Sequence, residues 1–296
     1  MHTSQFAYAL ALVSLITACG GEAGRGVARG GSSETAALDT MRMAAPDTTT
    51  LGHDPLSRSI RRGLALVRAA RDSLPGHVGS QLRCVSCHLE DGRRAYAMSW
   101  VGVYGRFPQY RSRSGRVAGL EERINDCFSR SLNGRPLPLD GDDLRDITSY
   151  LSWLSRGTPS GARLRGSGID SLAPLVPDTA RGALVYAQHC VRCHAADGGG
   201  MLGRGLANAG PPLWGPGSFN IGSGMARVRV MAAFVHRQMP FDQRGTLTPP
   251  DAFAVAAYVV SKPRPDFPGK ELDWPNGDPP VDVAYRTTAR RPAARP

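Results

Sequence analysis

Apolar positions along the chain fall into three patterns. The first is a mostly apolar run from Phe6 to Ala18. It has the length of a signal-peptide core and predicts an export segment over residues 1–18. The second is a helical period. Ile60, Leu64 and Val67 fall on one face and predict a helix around Arg62-Gly63-Leu64. Leu144, Ile147, Leu151 and Leu154 do the same within DDLRDITSYLSWL, and Val255 and Val259 within PPDAFAVAAYVV. Asp142 or Asp143, and the run Pro249-Pro250-Asp251, are plausible starts for these helices. The third pattern is the absence of any period. Residues 19–52 are mostly Gly, Ser, Thr and Ala and read as a flexible tether. The Pro-rich stretch after Pro263, residues 265–296, reads as a tail that wraps the surface or is disordered. No strand pattern stands out. No run of about 20 apolar residues follows the first 18, so no membrane span is expected.

The helical patterns come in two sets. Arg62-Gly63-Leu64-Ala65-Leu66-Val67 is matched by Arg181-Gly182-Ala183-Leu184-Val185-Tyr186, and Tyr150 by Tyr258. In each set an early helix carries a glycine that allows close contact with a later helix. The chain is thus two copies of one helical unit, over residues 53–160 and 178–264. Residues 161–177 between them have the composition of a linker. With 296 residues, two domains are also what length alone suggests.

Cysteines give each copy its chemistry. Four of the six lie in CVSCH at Cys84–His88 and CVRCH at Cys190–His194. In a CxxCH motif two sulfurs add to the haem vinyl groups and the adjacent histidine ligates iron. Cys84, Cys87, Cys190 and Cys193 are therefore expected to hold two haem c groups, with His88 and His194 as axial ligands. A zinc site would want four ligands from similar pairs, and a thioredoxin-like redox pair a βαβ setting. Neither is seen. The helical frame around each motif resembles the class I cytochrome c fold, so the fold class is expected to be all-α, two tandem class I cytochrome c domains.

The remaining cysteines are Cys19 and Cys127. Leu15-Ile16-Thr17-Ala18-Cys19 resembles a bacterial lipobox, which implies lipidation of Cys19 and anchoring to the outer membrane facing the periplasm. Cys127, in ERINDCFSRSLNG, is odd in number. It is a reactive thiol, a bridge or a metal ligand. As a thiolate on the first haem it would lower the potential, with Arg123 and Arg130 favouring that form. The other reading has Met98 as ligand and Cys127 as a small buried hydrophobe. The residues leave the two open. In the second unit Met239-Pro240 ends an expected helix over about Arg227–Gln238 and resembles the methionine-ligand loop of class I cytochromes. Met201, Met225, Met231 and His236 compete with it.

Net charge is +11, nearly all from arginine, with lysine only at 262 and 270. Such a balance favours anionic partners. No zinc-finger spacing or helix-turn-helix supports nucleic acid. Arg106, Arg111, Arg113, Arg116 and Arg123 precede Cys127. They read either as an anion site or as a solvated basic face.

ERINDCFSRSLNGRPLP, PPLWGPGSFNIGSGMAR and both CxxCH motifs resemble the thiosulfate dehydrogenases, dihaem cytochromes of the periplasm. The likeness runs from about residue 54 to Tyr285. It implies joining of two thiosulfates into tetrathionate, which some members reverse, with electrons passed to a soluble cytochrome or other periplasmic acceptor. It implies Cys127 as ligand of the first haem, Arg113, Arg123 and Ser131 as anion-binding residues beside it, and Met239 on the second haem. Some members carry a lysine beside that methionine that can replace it. Gln238 stands here instead, so lysine ligation is not expected. A plain electron-transfer dihaem cytochrome, a sulfur-carrier subunit and a lipid-anchored haem sensor are the competing readings. A carrier has no need of a cysteine ligand, a carrier subunit none of a second methionine-ligated domain, and no output domain is seen.

Overall fold

The computed structural model describes residues 46–201 and 210–288. The expected export segment, Cys19 and most of the tether lie outside the described residues. Among the described residues, six helices of eight or more residues form the frame: α1 Pro55–Arg68, α2 Leu120–Arg130, α3 Asp142–Leu154, α4 Thr179–His189, α5 Val228–Gln238 and α6 Pro249–Val260. A short antiparallel hairpin joins β1 Gln109–Arg111 to β2 Arg116–Ala118, with Tyr110 opposite Val117. Strands of three residues carry no readable period, which is why the sequence gives no sign of them.

Helix starts follow local chemistry. Asp54 caps α1 by accepting from Ser57 N–H at 3.0 Å, with Pro55 at the first position. Thr248 caps α6 by accepting from Asp251 N–H at 3.3 Å. On α2 the Glu122 carboxylate reaches back to Gly119 N–H at 2.8 Å, which holds its pKa below the usual carboxylate range.

Each domain is built on one helix crossing. In the first, α1 packs on α3; in the second, α4 packs on α6. A glycine makes each crossing possible. A Cβ on Gly63 would sit 2.0 Å from Asp146 O, and one on Gly182 would sit 2.1 Å from Ala254 O. The crossings bury Ile60, Leu64 and Val67 against Leu144, Ile147 and Leu151. An arginine beside each glycine ties the same helices from outside: Arg62 pairs with Asp143 at 2.5 Å, and Arg181 with Asp251 at 2.7 Å. The aromatic packing repeats as well. Trp100 meets Tyr150 edge-on at 6.3 Å, and Trp214 meets Tyr258 at 6.1 Å.

The domains are joined along a polar seam. Gln81 N–H donates to Gly217 O at 2.8 Å, and Asn220 Nδ2 donates to Ser129 O at 2.8 Å. Buried Gln238 donates to Ala95 O at 2.9 Å and accepts from Arg94 Nε at 3.3 Å. Residues 263–288 dock onto both domains; residues 289–296 lie outside the described part.

Candidate haem-linked active site

The two CxxCH turns have the same local geometry. Cys84 opens a helical turn, and His88 N–H returns to Cys84 O at 3.1 Å; His194 N–H returns to Cys190 O at 2.9 Å. His88 Nδ1 lies 2.7 Å from Met98 O, and His194 Nδ1 lies 2.7 Å from Pro211 O. A carbonyl only accepts, so each Nδ1 carries the proton and each Nε2 presents a lone pair. Burial, opposed by the Met98 carbonyl, pushes the His88 pKa down to about 4 and lowers that of His194. Both imidazoles are therefore neutral and oriented, as iron ligation requires. Burial first, and the nearby Cys127 second, push Cys84 and Cys87 up to about 12. Thiols in that state are poor redox or zinc partners. No described cysteine is in a disulfide. The donor set fits two c-type haems.

Above the first turn stands α2. Phe128 and Leu120 bury its apolar face, and Asn125 pins the following loop by donating to Leu137 O at 2.9 Å and accepting from Leu137 N–H at 2.8 Å. The adjoining stripe carries Arg123 and Cys127, with Ser131 at the C-cap, spaced four residues apart and hence aligned. Arg123 Nη1 donates to Cys127 Sγ at 2.8 Å. The neighbouring Cys127 sulfur, opposed by burial, raises the Arg123 pKa, so that guanidinium is a fixed cation against the sulfur.

Arg113 lies at the hairpin turn. Its Nη1 donates to Gly222 O, and its guanidinium lies 4.6 Å from the Trp274 ring centre. Desolvation first, and then Arg130, lower its pKa. Ser131 Oγ sits 3.2 Å from buried Ser223 Oγ. Ser223 Oγ already accepts from Met225 N–H at 3.3 Å. The basic run splits by partner. Arg116 pairs with Glu122, whereas Arg106 and Arg111 make no ion pair among the described residues. Arg106 Nε is buried without a hydrogen-bond partner, and Arg163 and Arg111 lie close enough to depress its pKa after burial does.

The structure thus brings Cys127, Arg123, Arg113 and Ser131 to one region. Gly222, Ser223, Asp273 and Trp274 complete that region, and sequence reasoning missed them. For Gly222 and Ser223 the signal was the motif PPLWGPGSFNIGSGMAR, which follows the second CxxCH in sequence yet folds over the first domain; Asp273 and Trp274 had none. In the second domain Met239 caps α5 and is half-buried against the core. Met225 and Met231 are buried in the core, and His236 Nδ1 is engaged by Leu247 O at 2.9 Å.

Two crossed-helix units, each with an oriented CxxCH histidine, define a dihaem c-type cytochrome, a protein of the periplasm. A family model described as SoxA/TsdA, cytochrome c domain, matches residues 77–160; one described as cytochrome c oxidase, cbb3-type, subunit III, matches residues 177–259. A thiosulfate dehydrogenase of Psychrobacter arcticus is 41% identical over 86% of this chain and 77% of its own. That of Allochromatium vinosum is 43% identical over 77% of this chain and 86% of its own. The solved thiosulfate dehydrogenase TsdBA of Marichromatium purpuratum, in its as-isolated form, superposes with TM-score 0.73 at 37% identity. It covers 78% of this chain, which spans 51% of that longer one. The chain belongs to the thiosulfate dehydrogenase family.

Proposed function

We propose that the chain oxidises thiosulfate to tetrathionate in its first domain, with Cys127 as the reacting sulfur, and passes the electrons on through its second. The observation that carries this reading is the 2.8 Å hydrogen bond from Arg123 to Cys127 Sγ, on the helix face above the first CxxCH turn. A buried structural cysteine has no use for a charged donor.

Iron ligands follow the same reasoning. Met98 is held behind the His88 ring, its carbonyl on the nitrogen that faces away from iron. That favours Cys127 over Met98 as the partner of His88. In the second domain His194 pairs with Met239. Residues 53–160 then form the active-site domain, 161–177 a linker and 178–264 the electron-transfer domain.

Thiosulfate is a dianion, and joining two of them is opposed by charge. The guanidinium forks of Arg113 and Arg123 receive sulfonate oxygens in pairs and offset that repulsion. Ser131, one turn beyond Cys127, donates a further hydrogen bond. The Cys127 thiolate and the outer sulfur of the first thiosulfate form a sulfur–sulfur bond, giving up two electrons. The second thiosulfate then attacks that outer sulfur. The central bond of tetrathionate forms, the bond to cysteine breaks, and the thiolate returns. When bound, the two haems supply the acceptors, one electron each. A soluble cytochrome or comparable periplasmic carrier takes the electrons, and a lipid on Cys19 ties the protein to the outer membrane.

The test is Cys127→Ala. The variant is expected to keep two covalent haems, lose its low-spin thiolate signal in the EPR spectrum, and no longer be reduced by thiosulfate. Retained turnover would sink the mechanism and leave Cys127 a structural residue.

A further inference from the structure

Beyond α6 the chain turns back onto the molecule. Ile221 N–H donates to Pro265 O at 2.9 Å, and Arg264 donates to Val259 O at 2.6 Å while stacking on Phe219 at 4.5 Å. The strap then crosses to the first domain. Asp273 takes both nitrogens of Arg130 at 2.8 Å, with both side chains mostly buried, and Tyr285 Oη donates to Asp273 at 2.6 Å. Trp274 is 2% exposed. Its backbone N–H donates to Arg113 O at 2.8 Å, and its ring faces the Arg113 guanidinium. Further on, Asp282 returns to the second domain, where it pairs with Arg227 at 2.8 Å and accepts from Arg229 N–H at 2.9 Å at the start of α5.

One residue of the first domain is therefore gripped twice by the strap, at its backbone and at its charge. This matters because Arg113 is an awkward cation. It is desolvated, it is close to Arg130 and Arg123, and no carboxylate pairs with it among the described residues. A long side chain in that position gains by swinging to water or to an acid. The aromatic face and the Gly222 carbonyl hold it in place without neutralising it. Asp273 does neutralise Arg130, the neighbour that would otherwise compete for an anion.

We propose that the strap over residues 263–288 is a working part of the thiosulfate site. Trp274 is a positioning residue that fixes Arg113 toward the anion, and Asp273 silences Arg130 so that the anion settles on Arg113 and Arg123. This rests on the reading that Arg113 binds thiosulfate.

The experiment compares Trp274→Phe, Trp274→Met and Arg113→Gln in the full-length holoprotein, by thiosulfate KM and kcat and by haem content. Phenylalanine keeps a π face, and methionine fills space without one. The phenylalanine variant is expected to stay within about two-fold of the parent KM, and the methionine variant to rise about ten-fold with kcat little changed, as loss of a desolvated cation–π contact implies. Both should hold two haems. In Arg113→Gln the KM should also rise, and adding Trp274→Met to it should raise KM no further, because Trp274 acts through Arg113. Equal KM values for the phenylalanine and methionine variants, or an additive double variant, overturn the role of Trp274 and leave the site reading standing. An unchanged KM in Arg113→Gln overturns the site reading itself, and the strap's role with it.

Discussion

The proposed reactivity of Cys127 rests on a single contact, the hydrogen bond from Arg123. The Arg123 guanidinium is half-buried and has the sulfur as its hydrogen-bond partner. A charge-assisted hydrogen bond of this kind is worth about 1.5–3 kcal/mol. Replacing Arg123 with glutamine keeps a donor but removes the charge. Arg123→Gln should therefore lower kcat/KM for thiosulfate by about 10- to 100-fold. Haem content should stay at two per chain, since His88 and the attachment cysteines are untouched. Steady-state kinetics alongside a haem assay check this; a variant with parental kcat/KM would show that the guanidinium is structural. Gln238 shows the converse. It sits beside the candidate ligand Met239, yet its side chain is spent on Ala95 and Arg94 of the first domain. Its role in this structure is to join the domains.

Among the elements, the two helix crossings bear the most weight. Gly63 and Gly182 let each pair of helices approach until backbone meets backbone. A methyl group at either position has nowhere to go, because the nearest atom is a main-chain carbonyl and not a side chain that can turn aside. Overpacking of this kind costs about 1–3 kcal/mol or more. Gly63→Ala is expected to lower the unfolding free energy of the first domain by that amount, and Gly182→Ala that of the second. Denaturant unfolding followed at the haem absorbance would measure it. A loss below about 0.5 kcal/mol would mean that the crossing relaxes freely. The short elements do different work. The β1–β2 hairpin contributes little core, but its turn delivers Arg113 to the strap.

Across the whole molecule, positive charge is arranged in two ways. Many arginines on the outer faces are paired, as Arg68 is with Asp91 at 2.6 Å and Arg192 with Asp242 at 2.5 Å. Around the Cys127 helix Arg116 and Arg130 are paired, but Arg106, Arg111, Arg113 and Arg123 make no ion pair among the described residues. The field there attracts dianions and is screened by salt. Raising ionic strength should therefore lower kcat/KM for thiosulfate while kcat changes less. Arg111→Gln should flatten that dependence, because Arg111 lies within reach of both Arg123 and Cys127. A salt-independent kcat/KM would place the rate limit beyond encounter and remove the steering role.

Much of this protein was legible before any coordinates. The CxxCH motifs are local covalent chemistry, complete within five residues. The amphipathic helices, their glycines and the duplication follow from period and repetition, which survive in one dimension. The likeness around Cys127 indicated the family. What the sequence could not supply were contacts between segments far apart and without a period. The hairpin was too short to show one. The Pro-rich strap had none at all, so only the fold determines that Asp273 and Trp274 reach Arg130 and Arg113. The segment around Ser223 lies in the second half of the chain yet closes over the first domain. Met98 and Cys127 stood level in sequence, and the fold adds that the Met98 carbonyl meets His88 Nδ1, which supports the proposed role of Cys127. Polar and aromatic side chains packed across a domain seam leave no pattern in sequence, because their partners are set by where the backbone folds and not by any periodicity of their own.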